Sequence, residues 1–502
     1  MYDLLLYNAH VLTMEPAPSR ASWVAVRDGR IAALGEVKPA AGTHARLEID
    51  CNGHVLLPGF VDPHIHLLAY AASLHSVDCS PAAAPDIPAI QRAIAERARR
   101  SPPGALIRAI GYRETRLAER RHPTRWELDT AVPDHPVRLR HGSGHASVLN
   151  SAAMALAGIT SETYEPAIGE IGRRLDDGEP NGVFIELESW LDARLPQTPF
   201  EEVLSGVREA NRRLLSAGVT AVQDMGATND GGTLALLQRL REQGALTVHV
   251  DAAIGWEAFC RGEIGDSRLV KLVVTDLGGR LEPPLGELAG RLERILRHGA
   301  SVAVHAVTPA AILHTAEAFE AALARIDAGT RATLPRTIRR VEHASVCPPR
   351  LAQRLLHLGR IIVVSNPVLI ADQGDRYLQE IPADERPFLY NMEYLETQGL
   401  SVVAASDAPF GTPEPLRSIA AARFRRTASG KLVEGLTTPP GHAVKAHTHW
   451  AARAAMLHSE RGSIKPGKVA DLVLLSGTYA ELHAGAPLQV ETVVHNGEVV
   501  RG

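Results

Sequence analysis

The residues most able to do chemistry cluster in PGFVDPHIH, residues 58–66. His64 and His66 stand two apart at the end of an apolar run. Side chains at i and i+2 of a strand share a face, so both imidazoles can reach one cation. Neutral imidazole suits zinc and similar divalent metals. The competing reading is two unrelated loop histidines. Further along, apolar runs carry Lys271, His305 and His343, and a last one ends at Asp407. Metal-ligand types at the ends of several strands point to one shared centre. A free ammonium repels a metal, so Lys271 fits only as its carbamate, an anion able to bridge two ions. Burial makes the required neutral amine accessible. An ordinary ion-paired lysine is the alternative.

Other histidines read differently. His447 and His449 lie in AVKAHTHWAARAAML, whose pattern is helical, and on a helix i and i+2 diverge. A non-ligand role is expected there. His145, in RHGSGHASVLNS, either touches substrate or caps the following helix. His314, His357, His442, His458 and His483 read as surface or loop residues.

Placing such side chains together needs a parallel scaffold. Eight strand-length apolar runs occur: LLPGFVDPH, then 218–225, 246–254, 268–275, 301–307, 337–344, 360–366 and 400–407. Helical stretches such as LAGRLERILRHG and RLAQRLLHLG separate most of them. Near-continuous apolar strands alternating with helices indicate a parallel sheet covered on both faces. Eight of them indicate an α/β fold, a (β/α)8 TIM barrel, whose strand ends carry the chemistry. A doubly wound open sheet is the alternative, though no GxGxxG follows a strand. Both ends of the chain read as short strands punctuated by Asn, Asp-Gly and Asn-Gly turns. The expected organisation is a small β-sandwich from 1–57 and 460–502, and a barrel over 58–459. Residues 67–217, with helical patterns in DIPAIQRAIAERARR and FEEVLSGVREANRRLLSAG between Pro/Gly-rich stretches, form a long insertion after the first barrel strand, expected to cap the site.

Composition narrows the field. The 502 residues are 45% hydrophobic and 22% charged, with 53 Lys plus Arg against 57 Asp plus Glu. A formal charge of −4 gives nucleic acid no basic face to bind. No run of about 18 apolar residues suggests a membrane span, and the start, with Asp3 and no basic segment, reads as a strand. Four scattered cysteines, Cys51, Cys79, Cys260 and Cys347, form no CxxC pair. Neither a disulfide framework nor a thiolate zinc site is expected, and a cytoplasmic, reducing location fits.

Taken in order, PGFVDPHIH, PTRWELDTAVPDHPVRLRHGSGHASVLNSAAM, GVTAVQDMG, VKLVVTD, VAVHA, RRVEHASVCPP, VVAASDAPFGTPEPL and GSIKPGKVADLVLL resemble the amidohydrolase superfamily. The resemblance is to its YtcJ-like branch, the amidohydrolase-3 group that includes N-substituted formamide deformylases, and spans nearly the whole chain. It implies metal ligands at His64, His66, His305, His343 and Asp407, Lys271 as a carboxylated bridging lysine, and His145 near substrate. It also implies Zn2+, one or two ions, with Mn2+ or another divalent metal possible, and a homodimer. The implied reaction is hydrolysis of an amide-like C–N bond (N-acyl, N-formyl, carbamate or cyclic amide) in a small molecule, with Asp407 as general base and then acid. Two departures leave the substrate open: HAVTP stands where the family usually reads HAIGD, and VVTDLGGR follows the lysine in place of a DGS-like segment. A hydrolytic deaminase is one alternative, disfavoured because Thr308 stands where such enzymes often carry a glutamate. A non-catalytic scaffold is another, and a serine hydrolase finds no GxSxG.

Overall fold

The computed structural model describes every residue except 18, 38–43, 167–168, 265–267, 328, 330–333, 335–336 and 502. The chain divides into two compact units, Met1–Leu67 with Ala210–Gly502, and Leu68–Glu209.

The first unit is built on parallel strands in two hydrogen-bonded arcs. One arc runs Phe60–Ile65, Val219–Asp224, His249–Ala252. The other runs Ile254–Gly255, Leu269–Val273, Ser301–Ala306, Arg339–His343, Ile361–Ser365, Ser401–Ala404. The arcs meet at Ala253, whose N–H continues the ladder to the Asp224 carbonyl at 2.8 Å. Every residue of Phe60–Ile65 and of Val219–Asp224 is buried. Neither strand therefore shows the alternation that survives only where one face meets water. Helices cover the outside. Leu285–Arg297 buries Leu288, Ala289, Leu292, Ile295 and Leu296, a single stripe at helical spacing, into the same core as Val302 and Val304.

Among the described residues no sheet ladder joins the last strand, Ser401–Ala404, to the first. The residues just beyond that strand make the joint instead. Asp407 donates its N–H to the His64 carbonyl and His66 donates to Ala408, both at 2.9 Å. Val61 donates to the His447 carbonyl at 2.8 Å. The closed ladder expected from eight equal strands is thus replaced at this point by a stitch through residues that carry candidate ligands.

Both chain ends form β structure in the same unit. One sheet has the order Arg30–Gly35, Trp23–Arg27, Tyr2–Tyr7, Ala45–Asp50. The other has the order Glu498–Arg501, Val490–His495, Leu472–Leu475, Val55–Pro58, His10–Leu12, Arg20–Ala21. They share a core in which Leu4, Leu6 and Val24 meet Val11, Leu56, Leu472 and Val494. The Asn496-Gly497 turn has positive φ at both residues, as a tight hairpin requires.

The second unit departs from the sequence reading, which saw mainly helices and loops there. It holds a mixed six-stranded sheet, in the order Glu170–Arg173, Pro180–Ile185, Ala146–Leu149, Val137–His141, Ile107–Tyr112, Val77–Asp78. The helix Ile87–Ala98 is where the periodicity placed it, capped by Asp86. The sheet was hidden because polar residues stand in buried strand positions. Arg138 is buried and satisfied by Glu188 and Asp192.

Gly59, which leads from Val55–Pro58 into the first parallel strand, has no room for a side chain. An added Cβ would lie 2.2 Å from Thr220 Oγ1 and 2.7 Å from its Cγ2. Gly59→Ala is therefore expected to lose about 1–3 kcal/mol by overpacking, read as a fall in thermal midpoint. Adding Thr220→Ala should recover part of that loss; strict additivity of the two changes would refute the contact.

Candidate metal centre

Five strand ends deliver six side chains. His64 is in the first strand and His66 lies one residue past its end. Lys271 is in Leu269–Val273, His305 in Ser301–Ala306, and His343 closes Arg339–His343. Asp407 follows Ser401–Ala404 by three residues. The His64 ring lies 5.4 Å from His66 and 4.9 Å from His343, and the His305 and His343 rings are 4.4 Å apart, centre to centre. His343, Ala344 and Asp407 all have φ between +45° and +71°, a costly backbone for residues with a Cβ and one that clusters at functional sites.

His64, His66 and Asp407 each offer a ligand atom, all within 4.8 Å of one another. Asp407 Oδ1 stands 3.4 Å from His64 Nε2 and 3.3 Å from His66 Nε2. Ligands held about 2.0–2.1 Å from a tetrahedral ion are spaced about 3.3–3.4 Å apart, so these distances fit a shared cation. Asp407 Oδ2 is 3.8 Å from His343 Nδ1. Three buried atoms here have no hydrogen-bond partner: His64 Nε2, Lys271 Nζ and Asp407 Oδ1. Leaving such atoms unpaired away from water is costly, and a cation accepting the lone pairs of His64 Nε2 and Asp407 Oδ1 removes the cost at those two.

The electrostatics prepare the same atoms. Burial pushes His64 down to about 3, and burial likewise drives His305 and His343 below the ordinary imidazole value. Burial brings Lys271 down to about 8, with Glu342 and Asp407 pulling the other way. Burial would raise Asp407, but the surrounding imidazoles, His343 foremost, outweigh it and hold the carboxyl well below its usual range. Burial thus favours the neutral, lone-pair-bearing form of His64, His305 and His343.

A surrounding layer fixes the rings, and sequence reading did not find it. Glu342 Oε2 accepts from His64 Nδ1 at 2.5 Å, which leaves Nε2 with its lone pair. Glu342 is itself held by Arg340, with contacts of 2.7 and 2.9 Å. Arg340 also donates to Gln223 Oε1 and to the Pro63 carbonyl. His64, Arg340 and Glu342 are fully buried. Burial alone would raise Glu342; the Arg340 guanidinium reverses this and holds it ionised. Asn366 Nδ2 donates to the Ala405 carbonyl, which turns its Oδ1 to accept from His343 Nδ1 at 2.8 Å. Asp62 Oδ1 accepts the N–H groups of His64 and Ser406 at 3.2 and 3.1 Å, tying together the two chain segments that bear candidate ligands. The available signal was RRVEH, where three charged residues stand in a strand that is buried throughout.

The remaining candidates fall elsewhere. His145 belongs to the unit Leu68–Glu209, where its half-exposed ring lies 3.1 Å from Glu186. His447 is buried at the end of the helix Pro440–Ala446, and His449 opens the helix His449–Ala454. His442, read as a surface residue, stands 2.8 Å from Glu396 and 3.7 Å from Glu393. Thr308, at the position discussed for a deaminase, caps the helix Pro309–Arg325 and donates to Asp276. The four cysteines are free thiols, and among the described residues no helix is long and apolar enough to cross a membrane.

Glu342→Gln should weaken metal retention about 10–100-fold, the usual cost of losing a carboxylate behind a ligating histidine. Competition with a chromogenic chelator measures this, and unchanged retention would remove Glu342 from the account.

Residues 47–501 match the model of the amidohydrolase family. The chain is 30% identical to an N-substituted formamide deformylase from Arthrobacter pascens, over 95% of this chain and 93% of that one. It is 27% identical to the YtcJ protein of Bacillus subtilis (strain 168), over 98% of each. Among solved structures, an uncharacterized metal-dependent hydrolase from Pyrococcus horikoshii OT3 is similar in fold, with a TM-score of 0.73 at 21% identity, over 96% of this chain and 99% of that one. Full-length agreement of this kind, reached independently of the side-chain geometry, settles the assignment: the chain belongs to the amidohydrolase family and is a hydrolase of carbon–nitrogen bonds.

Proposed function

We propose that this centre hydrolyses an amide-like bond in a small molecule: N-acyl, N-formyl, carbamate or cyclic amide. The observation that carries the reading is the 3.3–3.4 Å spacing of His64, His66 and Asp407 ligand atoms, two of them orphaned in the interior. The similarity to an N-substituted formamide deformylase supports N-formyl compounds within that class. His64, His66, His305, His343 and Asp407 would hold one or two divalent ions, Zn2+ or Mn2+, with Lys271 as a bridging carbamate. The neutral amine that carbamate formation needs is accessible at a lysine brought to about 8.

When bound, such an ion supplies an acidified water and a polarised carbonyl. The chain's residues do the rest. Asp407 is ionised and aimed at the centre, so one of its oxygens takes the proton of the attacking water. The same carboxyl then delivers that proton to the departing nitrogen. Glu342 and Asn366 keep the imidazoles of His64 and His343 in the tautomer with Nε2 unprotonated. Thr308, with its hydroxyl committed to a helix cap and to Asp276, supplies no proton relay of the deaminase kind.

We read the eight strands as a (β/α)8 barrel over 58–459 with insertion 67–217, and the two terminal sheets as one small sandwich from 1–57 and 460–502. His145 is assigned to substrate binding, and the enzyme to a cytoplasmic homodimer.

Asp407→Asn should lower turnover of an N-formyl or N-acyl amine at least about a hundredfold, with far-ultraviolet circular dichroism retained. Dialysis against a chelator should abolish activity, and Zn2+ or Mn2+ should restore it. Near-normal turnover by the variant, or activity that survives exhaustive chelation, would reject the assignment.

A further inference from the structure

The candidate ligands differ in how far they are open. The side chains of His64, His343 and Asp407 are 0%, 4% and 11% exposed, whereas that of His66 is 27% exposed. A small molecule reaching the centre on this side passes His66. The ring that stands there is Phe410, whose centre lies 6.0 Å from that of His66, edge to face at 85°. Phe410 remains 38% exposed.

A single exposed apolar residue is ordinary on a protein surface. This one is distinguished by how firmly its segment is held. The Phe410 N–H donates to the Asp407 carbonyl at 2.9 Å, so the ring sits one tight turn from a candidate ligand. The Phe410 carbonyl accepts from Gln373 Nε2 at 2.9 Å. Two residues on, Thr412 gives both its N–H and its hydroxyl to Asp372 Oδ2 at 2.8 Å, and Arg417 holds Asp372 Oδ1 at 2.7 Å. Between them, Gly411 is packed so closely that a Cβ would fall 2.5 Å from the Ser406 carbonyl and 2.9 Å from Val368 Cγ1. The segment 407–412 is therefore pinned along its length to the helix Val368–Glu380. An apolar ring kept in partial contact with water by so many bonds is a preformed wall. Apolar area left uncovered beside a binding site gains free energy when a ligand covers it.

Resting on the amide-hydrolase reading above, we propose that Phe410 determines specificity: it forms the apolar wall that receives the substituent next to the scissile bond. The substrates it favours carry an aromatic or bulky aliphatic group there, packed edge to face or offset against the ring.

The test compares N-benzylformamide with N-methylformamide, using wild type, Phe410→Ala and Phe410→Leu, each loaded with Zn2+. Benzohydroxamate and acetohydroxamate binding is measured alongside by calorimetry, as a readout independent of turnover. The preference for the benzyl substrate, as a ratio of kcat/KM values, should fall about tenfold in Phe410→Ala, chiefly through KM. The ratio of hydroxamate affinities should fall with it, and Phe410→Leu should lie between. Wild-type turnover with a preference that is the same in all three proteins would overturn the role of Phe410 and leave the amide-hydrolase reading standing. Failure of wild type to turn over either formamide or to bind either hydroxamate would overturn both.

Discussion

Everything in the centre follows from one electrostatic constraint. An ionised carboxylate, a lysine and three imidazoles are held in a buried space where ordinary hydrogen bonding leaves some of their atoms unanswered. His64 Nε2, Lys271 Nζ and Asp407 Oδ1 have no partner there, and each such atom costs about 1–3 kcal/mol. A fold selected for stability alone would fill this space with apolar side chains. The same region instead accepts left-handed backbone at His343 and Asp407. At His64 and Asp407 the chain carries these costs where a cation would cancel them, and the groups behind the candidate ligands are fully satisfied by contrast. Glu342 has both oxygens engaged, and Arg340 donates to four different residues.

This contrast explains why the scaffold is parallel. Parallel strands present all their C-terminal ends on one side, so residues from 64 to 407 in the chain can meet there. The side chain of Asp224 takes the N–H groups of Leu67 and Gly226, fixing the chain just past His66. The place where the strand ladder departs from regularity also serves the centre. At the joint between the last strand and the first, the bonds that replace a ladder run through His64, His66 and Asp407 themselves. The spacing of the candidate ligands and the joint between the last strand and the first are thus set by the same few bonds, with Asp62 bridging the two sides.

Much of this was legible in the sequence, because its signals were of the kind periodicity reveals. Strands buried on both faces leave unbroken apolar runs, and a histidine or aspartate at the end of such a run stands out. The hairpin turns at Asp28-Gly29 and Asn496-Gly497 were visible for a similar reason, since few residues tolerate that backbone. What escaped were polar residues inside buried elements. Arg138 in VRLRH made a buried strand look amphipathic, and the sheet of the second unit went unseen. Arg340 and Glu342 gave no sign of their partners, because His64 and Gln223 lie far away in the chain. The proximity of His442 to Glu393 and Glu396 was hidden in the same way. Side-chain pairing across long separations leaves no local trace, whereas burial and turn geometry do.

The central claim is that the groups gathered at the strand ends hold a divalent ion. Anomalous diffraction from crystals of the zinc-loaded protein, recorded on either side of the zinc edge, tests it most directly. The account expects a peak in contact with His64 Nε2, His66 Nε2 and an Asp407 oxygen. Crystals that show no anomalous density at those atoms, or show it solely beside Glu393, Glu396 and His442, would contradict it.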